Sequence, residues 1–144
     1  VEVKPSSHPC LDGRRPYGLF STCVFKKGDR VVKYTGQRVD ARDHTTSEYV
    51  LQVNQHTHLD STDWRNSPAR FINDPRGWRK VSANCRFGSS QRTYFDADMG
   101  KEYVSIIAMR RIQAGEELLI NYGSNYFKYT LNKTKSCHNQ PTLN

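Results

Sequence analysis

Tyr122 lies near the end of the stretch EELLINYG, residues Glu116 to Gly123, and is the residue of this chain most suggestive of chemistry. The apolar run Leu118–Leu119–Ile120 predicts a buried strand, so a phenol is delivered to a strand end with a glycine directly behind it. A phenolic hydroxyl both donates and accepts hydrogen bonds, which suits it to orienting a polar reactant. Asn121 and Gly123 also tolerate the backbone angles of a turn, so a tyrosine that merely caps a turn is the competing reading. Other reactive types are scattered. The four cysteines, Cys10, Cys23, Cys85 and Cys137, form no C-x-x-C pair. That spacing fits neither a small disulfide scaffold nor a zinc module with paired ligands, and it favours reduced thiols inside a cell. The sequon Asn132–Lys133–Thr134 is the one feature compatible with secretion.

The elements that must position this tyrosine are short and β-like. "GLFSTCVF" and "KKGDRVVKYTGQRV" give two strand candidates joined by Lys26–Lys27–Gly28–Asp29, a hairpin turn signal. "SEYVLQV" alternates as a third. Residues 54–79 are polar, with Pro68, Pro75 and Gly77, and predict loop with at most a short helix. "NCRFGSSQRTYF" and "EYVSIIAMRRI" form a strand pair around Asp96–Gly100, and Gln113–Ala114–Gly115 turns the chain into EELLINYG. The expected class is mostly β.

The 144 residues suffice for one domain with its own core. Hydrophobic content of 35% and a mean hydropathy of -0.81 leave no segment long enough to span a membrane, and no secretory leader is expected. Lys and Arg number 22 against 14 acids, giving +8 and a pI near 9.5. Such a surplus favours polyanions such as nucleic acid or chromatin, or an acidic peptide, although a generally basic solvated surface gives the same numbers.

Four pieces taken in order carry more than any one of them. They are "RRPYGLFST" (Arg14–Thr22), "KYTGQRV" (Lys33–Val39), "ARFINDP…ANCRF" (Ala69–Phe87) and "AMRRIQAGEELLINYGSNYF" (Ala108–Phe127). Together the set resembles the SET domain of protein lysine methyltransferases, with its G-x-G entry, Y-x-G strand end, R-F-x-N-H-S segment followed by N-C, and G-E-E-L-x-x-x-Y-G. The resemblance implies a β-clip fold of several small sheets with short helices and a knot-like crossing near the C-terminus. It divides the chain into an N-terminal flank (1–12), the SET domain (13–127) and a tail (128–144) that closes the site and then becomes loosely ordered.

The implied activity is methyl transfer from S-adenosylmethionine to a lysine amine, which requires the amine and methyl carbon to be held about 3 Å apart and aligned. The resemblance makes Tyr122 and Tyr34 the catalytic pair, with Gly123 allowing a sharp turn beside the cofactor. Tyr34, Tyr49, Phe87, Ile120 and Tyr122 would line the lysine channel, where aromatic walls pass the aliphatic stem and attract the cationic head. Ile120 stands where many relatives carry Phe or Tyr, and with Phe87 able to fill that space the number of methyls added stays open. Arg15 (or Arg14), Tyr17, Gly18, Arg70, Phe71, Asn73, Asp74, Tyr122 and Phe127 would contact the cofactor, Phe127 lying over the adenine.

Besides Ile120, the chain departs from the family pattern in three places. Pro16 replaces the first glycine of G-x-G, removing an N–H. Asp74–Pro75 replaces H-S. The cysteine cluster that binds zinc in many relatives is missing, leaving only Cys85, Cys137 and His138, so no zinc is expected, and Tyr126, Phe127 and Tyr129 would close the site. Compact SET proteins of some viruses and protists are similar in this respect.

The expected substrate is a histone tail or another protein lysine, with Glu48, Asp60 and Asp63 as candidate acidic rim and the basic surface facing nucleosomal DNA. The implied location is intracellular and nuclear, the host nucleus for a viral protein. Rival readings are a non-histone methyltransferase, a catalytically degenerate SET- or PR-like binding module, and a basic nucleic-acid-binding domain.

Overall fold

A computed structural model of the chain describes residues 1–8, 16–40, 50–61, 67–78, 80–88 and 92–122, and every structural statement below concerns these. They form nine strands in two antiparallel sheets. The smaller sheet joins β1 (Glu2–Pro5), β2 (Tyr17–Phe20) and β9 (Glu117–Leu118) in the order β1-β2-β9. The larger holds β3 (Arg30–Asp40), β4 (Val50–Gln52), β5 (Thr57–Asp60), β6 (Cys85–Phe87), β7 (Tyr94–Asp96) and β8 (Lys101–Ala108). Its order is β4-β5-β3-β8-β6, and β7 also pairs with β8. The mostly β class expected from the sequence is observed, with one short 3-10 helix at Pro68–Phe71. Among the described residues no helix is long and apolar enough to cross a membrane.

The turn at Lys26–Asp29 forms, with the Asp29 amide donating to the Lys26 carbonyl at 3.0 Å and Gly28 at φ +92°. It does not join a hairpin of the two flanking strands, as the sequence suggested. Strand β2 stops at Phe20 because the Ser21 hydroxyl donates to the Cys23 carbonyl and accepts the Cys23 amide, bending the chain away. Beyond that bend Phe25 bridges Ile112 instead, and Gly28 donates to the Ala108 carbonyl at 2.9 Å. Strand β5 lies inside the stretch read as loop. Asn54 Oδ1 accepts the amides of His56 and Thr57 at 2.8 and 2.9 Å, and this side-chain turn reverses β4 into β5. The hairpin of β7 and β8 follows expectation, its turn held by Asp96 Oδ1 accepting from Asp98 and Met99.

Alternation along β8 sends Val104, Ile106 and Ala108 inward and leaves Tyr103, Ser105 and Ile107 half-exposed. The inward residues pack with Leu19, Tyr34, Leu59, Ile72, Ile112, Leu118 and Ile120 in one core.

After β9 the chain leaves the antiparallel sheet and makes two parallel bridges, Asn73↔Leu119 and Cys85↔Ile120. The Ile120 amide donates to the Asn73 carbonyl at 3.0 Å, while the Leu119 carbonyl accepts the Asn84 and Cys85 amides at 3.0 and 2.9 Å. In an extended segment these groups point to opposite edges. The segment carrying Leu119 and Ile120 therefore crosses between residue 73 on one side and residues 84–85 on the other.

Candidate active site

Three aromatic rings from distant parts of the chain meet where that crossing ends. Tyr34, buried to 2% exposure on β3, meets Phe87 of β6 edge-on with ring centroids 6.2 Å apart. Phe87 meets Tyr122 at 5.9 Å. Ile120 is fully buried in the core against which Phe87 and Tyr122 pack. The structure thus brings Tyr34, Phe87, Ile120 and Tyr122 together.

Two bonds to residues 72–74 set the direction of Tyr122. Its hydroxyl donates to the Ile72 carbonyl at 2.7 Å, and its amide donates to Asp74 Oδ2 at 3.0 Å. Asp74 is buried, and Arg76 grips both of its oxygens, with Nε at 3.0 Å from each and Nη2 at 2.6 Å from Oδ2. Asp74 thus ties the loop at 74–76 to the backbone of Tyr122.

Tyr17, Gly18, Arg70, Phe71 and Asn73 gather beside the smaller sheet. Tyr17 and Phe71 rings meet edge-on at 5.9 Å, and the Arg70 guanidinium lies 5.3 Å from the Phe71 ring and donates to the Ser61 carbonyl at 3.3 Å. Asn73 Nδ2 donates to the Tyr17 carbonyl at 3.0 Å and to Glu117 Oε2 at 3.3 Å. A Cβ on Gly18 would stand 2.8 Å from Glu117 Oε2, so the glycine admits this carboxylate.

Glu117 is a residue that sequence reasoning quoted without giving it a role. Its buried carboxylate accepts the Ser6 hydroxyl at 2.8 and 2.9 Å, the Ser7 amide at 2.9 Å and the Asn73 amide, and it pairs with no cation among the described residues. Asn84 is the second. Its Nδ2 donates to the Glu117 carbonyl at 2.9 Å and its Oδ1 accepts the Leu119 amide at 2.8 Å, imitating a strand edge for the crossing segment. Both lie inside quoted motifs, G-E-E-L and N-C, which were the available signal. Ser6 carried none.

Arg15, Tyr49 and Phe127 lie outside the described residues, as do Arg14, Glu48, Asp63, Gly123, Tyr126, Tyr129, Cys137 and His138. Among the described residues no group of three or more His, Cys, Asp or Glu stands together to hold a metal ion. Cys85 is buried, and burial pushes its thiol up to about 12, against a smaller opposing pull from Arg110.

The residues present suit a cationic group. Aromatic faces, a phenol oxygen and a backbone carbonyl converge at Tyr34, Phe87, Tyr122 and Ile72, and such surfaces attract ammonium and sulfonium charge. S-adenosylmethionine fits this donor set.

Residues 16–123 match the SET domain family. The chain is also 31% identical over 120 residues to a zebrafish (Danio rerio) protein, N-lysine methyltransferase KMT5A-A. That alignment covers 74% of this chain and 32% of the zebrafish protein, so the chain spans about a third of its relative's length.

Proposed function

Since the chain belongs to the SET-domain family, we propose that it is a protein-lysine N-methyltransferase that uses S-adenosylmethionine and acts on histone lysine. The observation that carries this reading is the meeting of Tyr34, Phe87 and Tyr122, drawn from three separate segments, with the Tyr122 hydroxyl held on the Ile72 carbonyl.

Tyr122 orients the substrate amine. Its proton is committed to Ile72 at 2.7 Å, so towards a further group the phenol oxygen acts as an acceptor. Accepting an amine N–H fixes the direction of the nitrogen lone pair, the alignment an in-line displacement needs. Tyr34 and Phe87 form walls that pass the lysine stem and keep water from the reacting end, and Ile120 fills the floor, with Tyr49 as a further channel residue. Tyr17, Gly18, Arg70, Phe71, Asn73 and Asp74, with Arg15 and Phe127, would hold the cofactor. When bound, S-adenosylmethionine supplies the electrophilic methyl group. The basic composition supports contact with nucleosomal DNA and a nuclear location.

The test is transfer of radiolabelled methyl to core histones and nucleosomes by wild type and Tyr122→Phe. Label on one histone, reduced by about 100-fold in the variant, is expected for loss of a positioning hydroxyl. Equal labelling by the variant would remove Tyr122 from the mechanism. Cofactor binding with no labelled histone would turn the search to non-histone substrates. A second reading, a catalytically silent binding module, is favoured by Pro16, whose carbonyl is already engaged by the Ser6 amide at 2.9 Å. No rise in melting temperature with saturating S-adenosylmethionine would select it.

A further inference from the structure

The face of the larger sheet turned away from the core carries a groove of about 430 Å³, lined among others by Arg30, Arg86, Arg92, Tyr94, Tyr103 and Ile107. Arg30 of β3 and Arg86 of β6 both stand opposite Ile107 in register, one on each side of β8. Two strand spacings therefore separate them, about 10 Å between Cα atoms. Arg86 precedes Phe87 on the same strand, and successive strand residues face opposite ways. The groove is thus the reverse side of the sheet whose other side carries Phe87 and Tyr34.

The groove is basic and uncompensated. No carboxylate is among its described lining residues, and among the described residues Arg30, Arg86 and Arg92 form no ion pair. Two carboxylates of this sheet serve other cations, Asp96 holding Lys33 at 2.8 Å and Glu102 meeting Arg38 at 3.5 Å. The tyrosines act as rests for cations. Arg30 lies 5.8 Å and Lys33 4.5 Å from the Tyr103 ring, and Arg92 lies 5.3 Å from the Tyr94 ring. Rings already faced by cations are poor platforms for stacked bases, whereas guanidinium groups held in place suit phosphate oxygens.

We propose that this groove binds the phosphodiester backbone of duplex DNA without regard to sequence. Arginines spread over three segments of a sheet match a broad rod with one charge per about 1.7 Å of axis better than a narrow acidic peptide. The proposal rests on the DNA-contact part of the reading above and gives that contact a location. It is independent of methyl transfer.

The experiment measures anisotropy of a short labelled duplex between about 50 and 200 mM salt. It compares wild type, Arg30→Ala/Arg86→Ala/Arg92→Ala, and a control of equal charge loss, Lys26→Ala/Lys27→Ala/Arg111→Ala. The groove variant should bind at least about tenfold more weakly and lose about 2 to 3 from the log–log salt slope, near 0.9 per phosphate contact. The control should change affinity less than about threefold. The single variant Arg86→Glu, at a residue whose side chain hydrogen-bonds the neighbouring Phe87 carbonyl, guards against misfolding of the triple variant and should also weaken binding. Equal losses in groove variant and control, or no duplex binding by wild type, would overturn the proposal. So would displacement of the duplex by poly-glutamate as effectively as by unlabelled duplex. Methyl transfer to a free peptide, run in parallel, should be unchanged in the groove variants. Its absence in wild type would count against the enzyme reading alone.

Discussion

Asp74 and Tyr122, 48 residues apart, are joined by a 3.0 Å hydrogen bond from the tyrosine amide to the carboxylate. The phenol of the same tyrosine donates to the carbonyl of Ile72. One residue is thus fixed at both its backbone and its side-chain end by a single short segment, and the direction of the hydroxyl depends on that segment staying in place.

Asp74→Ala should therefore reduce both stability and methyl transfer. It strips a buried acceptor from the Tyr122 amide and leaves Arg76 without its fork, a loss of about 2–3 kcal/mol. Asp74→Asn retains an oxygen for the amide and should cost about half as much. Urea denaturation of the two variants checks this. Equal destabilisation would mean that the carboxylate charge, and not the acceptor, does the holding.

Glu117→Ala leaves the Ser6 hydroxyl, the Ser7 amide and the Asn73 amide without a shared acceptor in a buried place. A cost of about 2–4 kcal/mol is expected. A double-mutant cycle with Ser6→Ala should give a coupling above about 0.5 kcal/mol, and additive losses would show that the hydroxyl and carboxylate act separately.

The Lys33 ammonium, hydrogen-bonded at 2.8 Å, holds the Asp96 carboxyl below the usual carboxylate range. The unfolded chain therefore binds this proton more readily than the folded one. The stabilisation is complete above the ordinary aspartate value of about 4 and is lost as pH falls through the depressed folded value. Lys33→Met should flatten the fall of stability in acid, read from urea midpoints at a series of pH values. Part of the slope should survive, since Arg110 similarly depresses Glu116. An unchanged acid slope would remove this pair from the acid response.

Cys85 should resist alkylation in the native protein. Its thiol, pushed up to about 12 by burial, is neutral at pH 8, whereas Cys23 is exposed. Iodoacetamide followed by peptide mass mapping should mark Cys23 first and Cys85 only in denaturant. Native labelling of Cys85 at a rate near that of Cys23 would contradict its burial.

The legible parts of the site were those where a side chain's role is set by residues next to it. Tyr34 lies within the strand candidate KKGDRVVKYTGQRV, Phe87 stands two residues after the cysteine of N-C, and Tyr122 follows the apolar run Leu118–Ile120, so each could be placed on its element and then assembled through the family pattern. The roles of Glu117 and Asn84 depend on donors and acceptors that local reading cannot connect, such as Ser6 with Glu117 or Asn84 with Leu119. The Lys26–Asp29 turn illustrates the same limit. Its local chemistry was correct, but the strands it serves pair elsewhere, Phe25 with Ile112 and β3 with β8. Strand β5 is hard to read from sequence because one of its two buried positions carries the polar Thr57, leaving Leu59 as its one apolar residue.

The passage of Leu119 and Ile120 between Asn73 on one edge and Asn84–Cys85 on the other has a consequence for the order of folding. Both edges must exist before the segment can be seated, and the segments that supply them are far from it along the chain. Contacts of such separation form slowly. Tyr122 follows directly behind this segment, and its hydroxyl reaches Ile72, next to the Asn73 edge of the crossing. A molecule arrested earlier could hold β3 against β8 and still lack the assembled aromatic cluster. On the proposed function, methyl transfer would then report finished folding, and a half-folded molecule would be inert rather than misdirected.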